Sequence, residues 1–146
     1  MSKVIVFDID GTLADIRHRR HFVASKPKNW KAFERGIPYD DLHEDIAFLL
    51  EVFVSRRDTI ILCSGRNESS RLATEVWLEK HNIRYQDLFM RTDGDYRQDS
   101  IVKVELLERI IALWGKPYLW FDDRTQVVDA IRAQGIRVLQ VAPGDF

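Results

Sequence analysis

Two aspartates separated by one residue, Asp8 and Asp10, end the apolar run Val4-Ile5-Val6-Phe7 and run into Gly11-Thr12. A second acidic pair, Asp122-Asp123, follows Leu119-Trp120-Phe121 in the same way. Carboxylates brought together repel one another and bind protons more tightly. A divalent cation relieves that conflict. An all-oxygen donor set favours Mg²⁺, which keeps several waters and takes few carboxylates beside a substrate phosphate. A carboxylate can also attack phosphorus and carry the group as an aspartyl phosphate. Any one of these acids would pass as a turn or helix-cap residue. Two pairs at matching positions make a metal and phosphoryl site the better reading.

The cations fit the same chemistry. Lys103 precedes Leu107, Ile110, Ile111 and Trp114, so it heads the apolar stripe of its own helix. A lysine there needs acids to face, or else it snorkels to solvent along the helix edge. Ser64-Gly65-Arg66 supplies a hydroxyl, a tight turn and a guanidinium, and a following helix start would offer free N–H groups to an anion. Cys63, beside it, reads as a core strand residue with no His partner. Carboxylates, Mg²⁺, a hydroxyl, a lysine and arginines together make a phosphoryl-transfer site, which works by positioning and charge neutralisation.

These residues need a scaffold that brings chain segments more than 100 residues apart to one place. Five apolar runs read as strands, over 3–7, 59–63, 88–91, 118–121 and 137–141. Helical patterns lie between them. Leu42, Ile46, Leu49, Leu50 and Phe53 share one helix face. A helix over 68–81 carries Leu72, Val76 and Trp77 and stops at Asn82. Helices over 100–114 and 125–134 stop at Gly115 and Gly135. Alternating strands and helices with near-continuous apolar strands predict an α/β fold, a three-layer doubly wound parallel sheet. Such folds place ligands beyond the carboxyl ends of the strands, where Asp8, Asp10, Ser64, Arg66, Arg91, Asp122 and Asp123 fall.

The 146 residues suit a single domain over 1–146, with 15–40 as a small basic cap inserted after the first strand. Between Asp15 and Arg35 seven Lys/Arg stand against two acids, in a chain of net charge −1. That balance excludes a uniformly basic duplex-binding surface. In the insert Arg17, Arg19, Arg20, Lys26, Lys28, Lys31 and Arg35 alternate with Phe22, Trp30 and Phe33. Cations to contact phosphates and aromatics to stack on a base are one reading; an amphipathic lid with its charges in water is the other. His18 and His21 read as surface groups. No apolar run approaches the roughly 20 residues that cross a bilayer, and no signal peptide is apparent. The single cysteine allows no internal disulfide, so a cytoplasmic setting is expected.

"DIDGT", "SGR", a lysine heading the third helix and "FDD" together resemble the haloacid dehalogenase (HAD) superfamily of phosphotransferases. The resemblance covers the whole chain. It implies the sheet order 5-4-1-2-3, Asp8 as nucleophile, and Asp10 as general acid and then base. It implies Mg²⁺ on Asp8, the Asp10 carbonyl and Asp122, with Asp123 supporting the ion or Lys103. Ser64, Gly65 and Lys103 would hold the phosphoryl group. "RTDGDYRQD…VK" and "DDRTQVV…QVAPGDF" further resemble the 3′-phosphatase domains of phage polynucleotide kinase-phosphatases. That likeness implies Arg19, Arg66 and Arg91 as substrate-binding residues. It also implies nucleic-acid 3′ ends or nucleotides as substrate. The sequence has no G-x-x-x-x-G-K-[ST] loop, so a kinase half is not expected within it, and a separate kinase or ligase is a candidate partner.

The reaction expected is Mg²⁺-dependent removal of a 3′-terminal phosphate from nucleic acid or a nucleoside 3′-phosphate. A nucleotide 5′-phosphatase, or one acting on another small phosphoester, would use the same core under a different cap. A phospho-receiver signalling module is the remote alternative. Its acceptor follows a middle strand, whereas D-x-D-G-T here follows the first.

Overall fold

The computed structural model describes residues 1–146. Five strands make one parallel sheet: β1 (Val4–Phe7), β4 (Thr59–Asn67), β5 (Asp87–Arg91), β6 (Leu119–Asp122) and β7 (Val138–Gln140). Their order is β5-β4-β1-β6-β7. Numbered among themselves and read from the other edge, these strands run 5-4-1-2-3, as expected. Strand β1 is central, pairing with β4 on one side and β6 on the other. The two acidic strand ends are therefore neighbours.

The period of a strand sorts the core into two layers. Ile5, Phe7, Ile60, Leu62, Leu88 and Met90 face one side, under α2 (Glu44–Ser55) and α3 (Arg71–Lys80). Val6, Ile61, Cys63, Phe89 and Trp120 face the other, under α4 (Asp99–Trp114) and α5 (Thr125–Ala133). Phe7 and Phe121, opposite each other on β1 and β6, stack with centroids 4.7 Å apart.

The insert is pinched at its base by an unpredicted ribbon. Strand β2 (Ala14–Asp15) pairs antiparallel with β3 (Asp41–Leu42). Between them lie 3₁₀ helices over Arg17–Phe22 and Ile37–Tyr39, and the short helix α1 (Trp30–Arg35). Two-residue strands carry no periodic signal, which is why the sequence does not announce them.

Two helix faces differ from expectation. On α3 the buried residues are Thr74, Trp77 and Leu78, while Leu72 and Val76 are exposed. The Trp77 indole N–H donates to the Asp40 carbonyl (2.9 Å), and that contact sets the rotation of the helix. On α4 the stripe is Val102, Lys103, Leu106, Leu107 and Ile110; Ile111 and Trp114 are largely exposed. The predicted stops are observed: Asn82, Gly115 and Gly135 all have positive φ.

Candidate active site

The backbone amide of Asp8 donates to the Phe121 carbonyl (2.9 Å), one residue beyond β1. This carries the ladder past the end of the strand and fixes Asp8 beside Asp122. The chain then turns sharply. The Ile9 carbonyl accepts the N–H of Thr12, Leu13 and Ala14. Gly11 has φ 82°, and a Cβ on it would lie 2.0 Å from Asp123 Oδ2. Only glycine lets the turn and the second acidic pair approach this closely.

Asp8, Asp122 and Asp123 are all buried, and one oxygen from each lies within 4.8 Å of the others. Lys103 Nζ, itself buried, donates to Asp8 Oδ1 (2.7 Å) and Asp122 Oδ2 (2.8 Å). The lysine is thus held for the site rather than snorkelling. Burial alone would pull its ammonium down, but Asp122 and Asp8 outweigh that and hold it well above the ordinary value. Burial and then the Asp122 charge push the Asp8 carboxyl well up, despite Lys103. Burial and Asp122 also raise Asp123. One ammonium does not balance three buried carboxylates.

That residual charge, on oxygen donors alone, fits a hard divalent cation. The two neighbours Asp122 and Asp123 differ in their freedom to hold it. Asp122 Oδ2 accepts from Lys103 and from the Trp120 indole (3.2 Å), while its Oδ1 accepts the Asp123 amide (2.9 Å). No cationic or amide side chain donates to the Asp123 carboxylate. The Asp123 carboxylate therefore has more freedom to meet a cation, while Asp122 anchors Lys103.

Asp10 stands apart from this cluster, so three carboxylates meet rather than the four expected. Its Oδ1 accepts Arg19 Nη2 (3.1 Å), Arg66 Nε (3.0 Å) and Arg66 Nη2. Burial pushes this carboxyl up, but the two guanidiniums outweigh it and hold Asp10 below its usual range. Arg19 and Arg66 are both buried, and both also bind Asp40, which is fully enclosed. His18 is exposed, as expected of a surface group, and its Nε2 lies 2.7 Å from Asp40 Oδ1, so the imidazole also reaches that carboxylate.

Ser64-Gly65-Arg66 lies within β4 rather than after it. The strand's register with β5 shifts between Cys63 and Asn67, and the motif occupies the irregularity. Helix α3 starts only at Arg71, after a 3₁₀ turn over Glu68–Ser70, so no helix start follows the motif directly. Ser64 is buried, and its Oγ accepts the Arg66 amide (3.1 Å). A Cβ on Gly65 would lie 2.1 Å from Asp99 Oδ1. Arg91 donates to the Gly65 carbonyl (2.9 Å), the Asp95 and Arg97 carbonyls, and Asp99 Oδ1 (3.2 Å). Its nitrogens are engaged in bracing the bulge and the loop before α4.

Asp40 and Asp99 are the site residues that the sequence reading missed. Asp40 lies in the insert, where no periodicity marks it. Asp99 lies four residues before Lys103, on the same face of one helix, and that spacing was the available signal.

A doubly wound sheet with an aspartate pair after its central strand, a lysine across from it and a second acidic pair on the neighbouring strand defines a HAD-type hydrolase, and this chain is a phosphomonoesterase. The family model described as "Polynucleotide kinase PNKP phosphatase domain" matches residues 2–146. The chain belongs to that family. A protein of Autographa californica nuclear polyhedrosis virus, described as a bifunctional polynucleotide kinase/RNA ligase, is 27% identical over 128 residues, 86% of this chain and 17% of the viral protein. A chain in the structure of the Pnkp1/Rnl/Hen1 RNA repair complex is 33% identical with TM-score 0.82, over 100% of this chain and 44% of that one. The chain thus spans less than half the length of either relative. A hydrolase from Streptococcus pneumoniae TIGR4 shares the fold at TM-score 0.68 and 18% identity, covering 98% of this chain and 95% of that one. No helix is long and apolar enough to cross a membrane.

Proposed function

We propose that the chain removes the 3′-terminal phosphate from nucleic acid, or from a nucleoside 3′-phosphate, with Mg²⁺ as cofactor and a phosphorylated Asp8 as intermediate. The family match across residues 2–146 is the observation that carries the substrate class. Asp8 attacks phosphorus, and the bond to the 3′ oxygen breaks as Asp10 delivers a proton to that oxygen. Water then attacks the phosphoryl group, Asp10 takes its proton, inorganic phosphate leaves and the Asp8 carboxylate returns. Lys103, with Ser64 and Gly65, holds the phosphoryl oxygens. Asp8, Asp123 and the Asp10 carbonyl would hold Mg²⁺, which would supply neutralising charge.

The arginine grip on Asp10 suits its second role, as an ionised base. The first role needs a proton on it. An incoming phosphate dianion supplies the bias, because it competes for Arg66 and Arg19 and repels the Asp10 charge. The insert over 15–40 acts as the cap in this reading. The names of the viral relative and of the RNA repair complex support a kinase or ligase working alongside.

The test presents 3′- and 5′-phosphorylated oligonucleotides and mononucleotides with Mg²⁺. Phosphate release from 3′ ends is expected. Release from 5′-mononucleotides alone would replace the reading with a nucleotidase. Release from none would end it.

A further inference from the structure

A side-chain stack on the rim of the site takes no part in the chemistry at Asp8. The guanidinium carbons of Arg20 and Arg124 each lie 5.1 Å from the ring centroid of Phe146. The two arginines come from different parts of the site. Arg20 follows Arg19, the residue that grips Asp10, on the first 3₁₀ helix of the insert. Arg124 follows the acidic pair, and its Nη1 lies 3.7 Å from Asp99 Oδ2. Phe146 therefore bridges cap and core at the mouth of the site.

The segment carrying the ring is fastened to the acidic pair. Gly144 packs so tightly that a Cβ on it would lie 1.9 Å from the Asp123 carbonyl oxygen. The Gly144 carbonyl accepts the Thr125 amide (2.8 Å), and Asp145 Oδ1 accepts the Thr125 hydroxyl (3.0 Å). Gln140 donates to the Asp123 carbonyl (2.9 Å), and Arg124 Nε to the Phe146 carbonyl (2.8 Å). Despite this fastening, Phe146 is 53% exposed. Arg20 is exposed too, and its guanidinium makes the ring contact but no hydrogen bond or ion pair. A fixed, half-exposed ring beside a guanidinium with all its donors free offers a base apolar contact where Arg20 and Arg124 leave the ring open, and offers a phosphodiester its N–H groups.

We propose that Arg20, Phe146 and Arg124 form a subsite for single-stranded nucleic acid just 5′ of the phosphate that is removed. The terminal base packs on the open part of the Phe146 ring, and the neighbouring phosphodiester takes the Arg20 guanidinium. The polarity rests on the 3′-phosphatase reading; the subsite itself explains why a polymer would be preferred to a mononucleotide.

The experiment compares Arg20→Ala and Phe146→Ala with the unaltered protein on a short 3′-phosphorylated oligothymidylate and on p-nitrophenyl phosphate, which carries neither a nucleobase nor a phosphodiester. The kcat/KM for the oligonucleotide is expected to fall about tenfold, mostly through KM, as loss of one base stack or one phosphate contact would cause. Turnover of p-nitrophenyl phosphate is expected to hold. The salt dependence of oligonucleotide kcat/KM should become shallower by about 0.7 in log–log slope in Arg20→Ala. Equal losses on both substrates would make the stack a mere strap and overturn the proposal, as would unchanged oligonucleotide kinetics in both variants. Should the unaltered protein release nothing from 3′ ends, the 3′ reading fails alone. Fluorescence anisotropy with a 3′-hydroxyl oligothymidylate then decides the rim: binding weakened in Arg20→Ala upholds it, and equal binding overturns it.

Discussion

Arg19 meets Asp40 through two parallel hydrogen bonds, Nε to Oδ1 at 2.7 Å and Nη2 to Oδ2 at 2.8 Å, with both side chains sealed from solvent. The same Arg19 Nη2 reaches Asp10, and Asp40 Oδ2 also accepts Arg66 (3.3 Å). Asp40 is thus the fixed point from which both guanidiniums address Asp10. Burial would lower the Arg19 proton affinity, yet Asp40 and Asp10 together raise it.

Asp40→Ala should cost about 3–5 kcal/mol, the range for leaving one member of a buried pair uncompensated. The urea midpoint reads this directly. Asp40→Asn keeps the shape and should cost less. In that variant kcat/KM should fall, since Asp40 holds Arg19 and Arg66, which in the proposed reaction address both Asp10 and the incoming phosphate.

Gly11→Ala tests the approach of the two acidic motifs. The left-handed backbone alone costs an alanine of order 1–3 kcal/mol. The new Cβ would also sit 2.0 Å from Asp123 Oδ2, so the carboxylate must leave its place. The Mg²⁺ concentration for half-maximal rate should rise about 10–100-fold, as a Mg²⁺ titration of turnover will show.

These two positions mark where sequence reading succeeds and where it stops. Asp8, Lys103 and Asp122 were legible because each ends or heads an element whose period shows in the sequence, and the parallel sheet sends all such ends to one side. Gly11 was legible as part of a motif, but its contact with Asp123 belongs to the packing of β1 against β6. Asp40 was illegible. It sits in a short turn with no period, and its partners are 21 and 26 residues away. The face of α3 was misread for a related reason. Leu72 and Val76 satisfy helical spacing, but the Trp77 indole has a carbonyl to reach, and its burial turns the leucine and valine outward. Arg91 ends β5 where the strand pattern places it, and its nitrogens go to the Gly65, Asp95 and Arg97 carbonyls and to Asp99, contacts that only the folded loop before α4 creates.

Asp8→Asn should abolish turnover while the protein stays folded. Because burial and Asp122 raise the Asp8 carboxyl in the folded chain, its ionised form opposes folding. That group favours the folded state at low pH, and the benefit fades as pH rises through the folded pKa. The variant without metal should therefore melt no lower than the unaltered protein at neutral pH, and the gap should narrow toward pH 4. Mg²⁺ should raise the melting temperature of the unaltered protein by mass action and leave the variant nearly unmoved. Differential scanning calorimetry with and without Mg²⁺ measures both.

Cys63 lies on β4 next to Ser64, yet it should be chemically silent. Its thiol is fully buried, and burial pushes its proton affinity far up. Thiolate is the reactive form. In native protein at pH 8 a disulfide reagent such as dithionitrobenzoate should leave Cys63 unmodified over many turnovers. In denaturant the single thiol should react at once.

Asp58 offers a pH effect free of the active site, since it lies where the chain enters β4, at the opposite end of the sheet. Its carboxylate accepts the Lys3 amide (2.9 Å) and Arg56 Nε (2.8 Å). Burial raises this carboxyl, but Arg56 and the amide outweigh it and depress it below the ordinary value. A carboxylate depressed in the folded state adds stability above its unfolded pKa of about 3.9. That contribution is lost as pH falls through the folded value. Arg56 is half exposed, which limits the ion pair to about 1 kcal/mol or less. Asp58→Asn should accordingly lower the urea midpoint at pH 7, and the difference from the unaltered protein should close as the same measurement is repeated toward pH 2. Turnover of p-nitrophenyl phosphate at pH 7 should not change, because the strand that Asp58 steadies delivers Ser64 and Arg66 only at its far end.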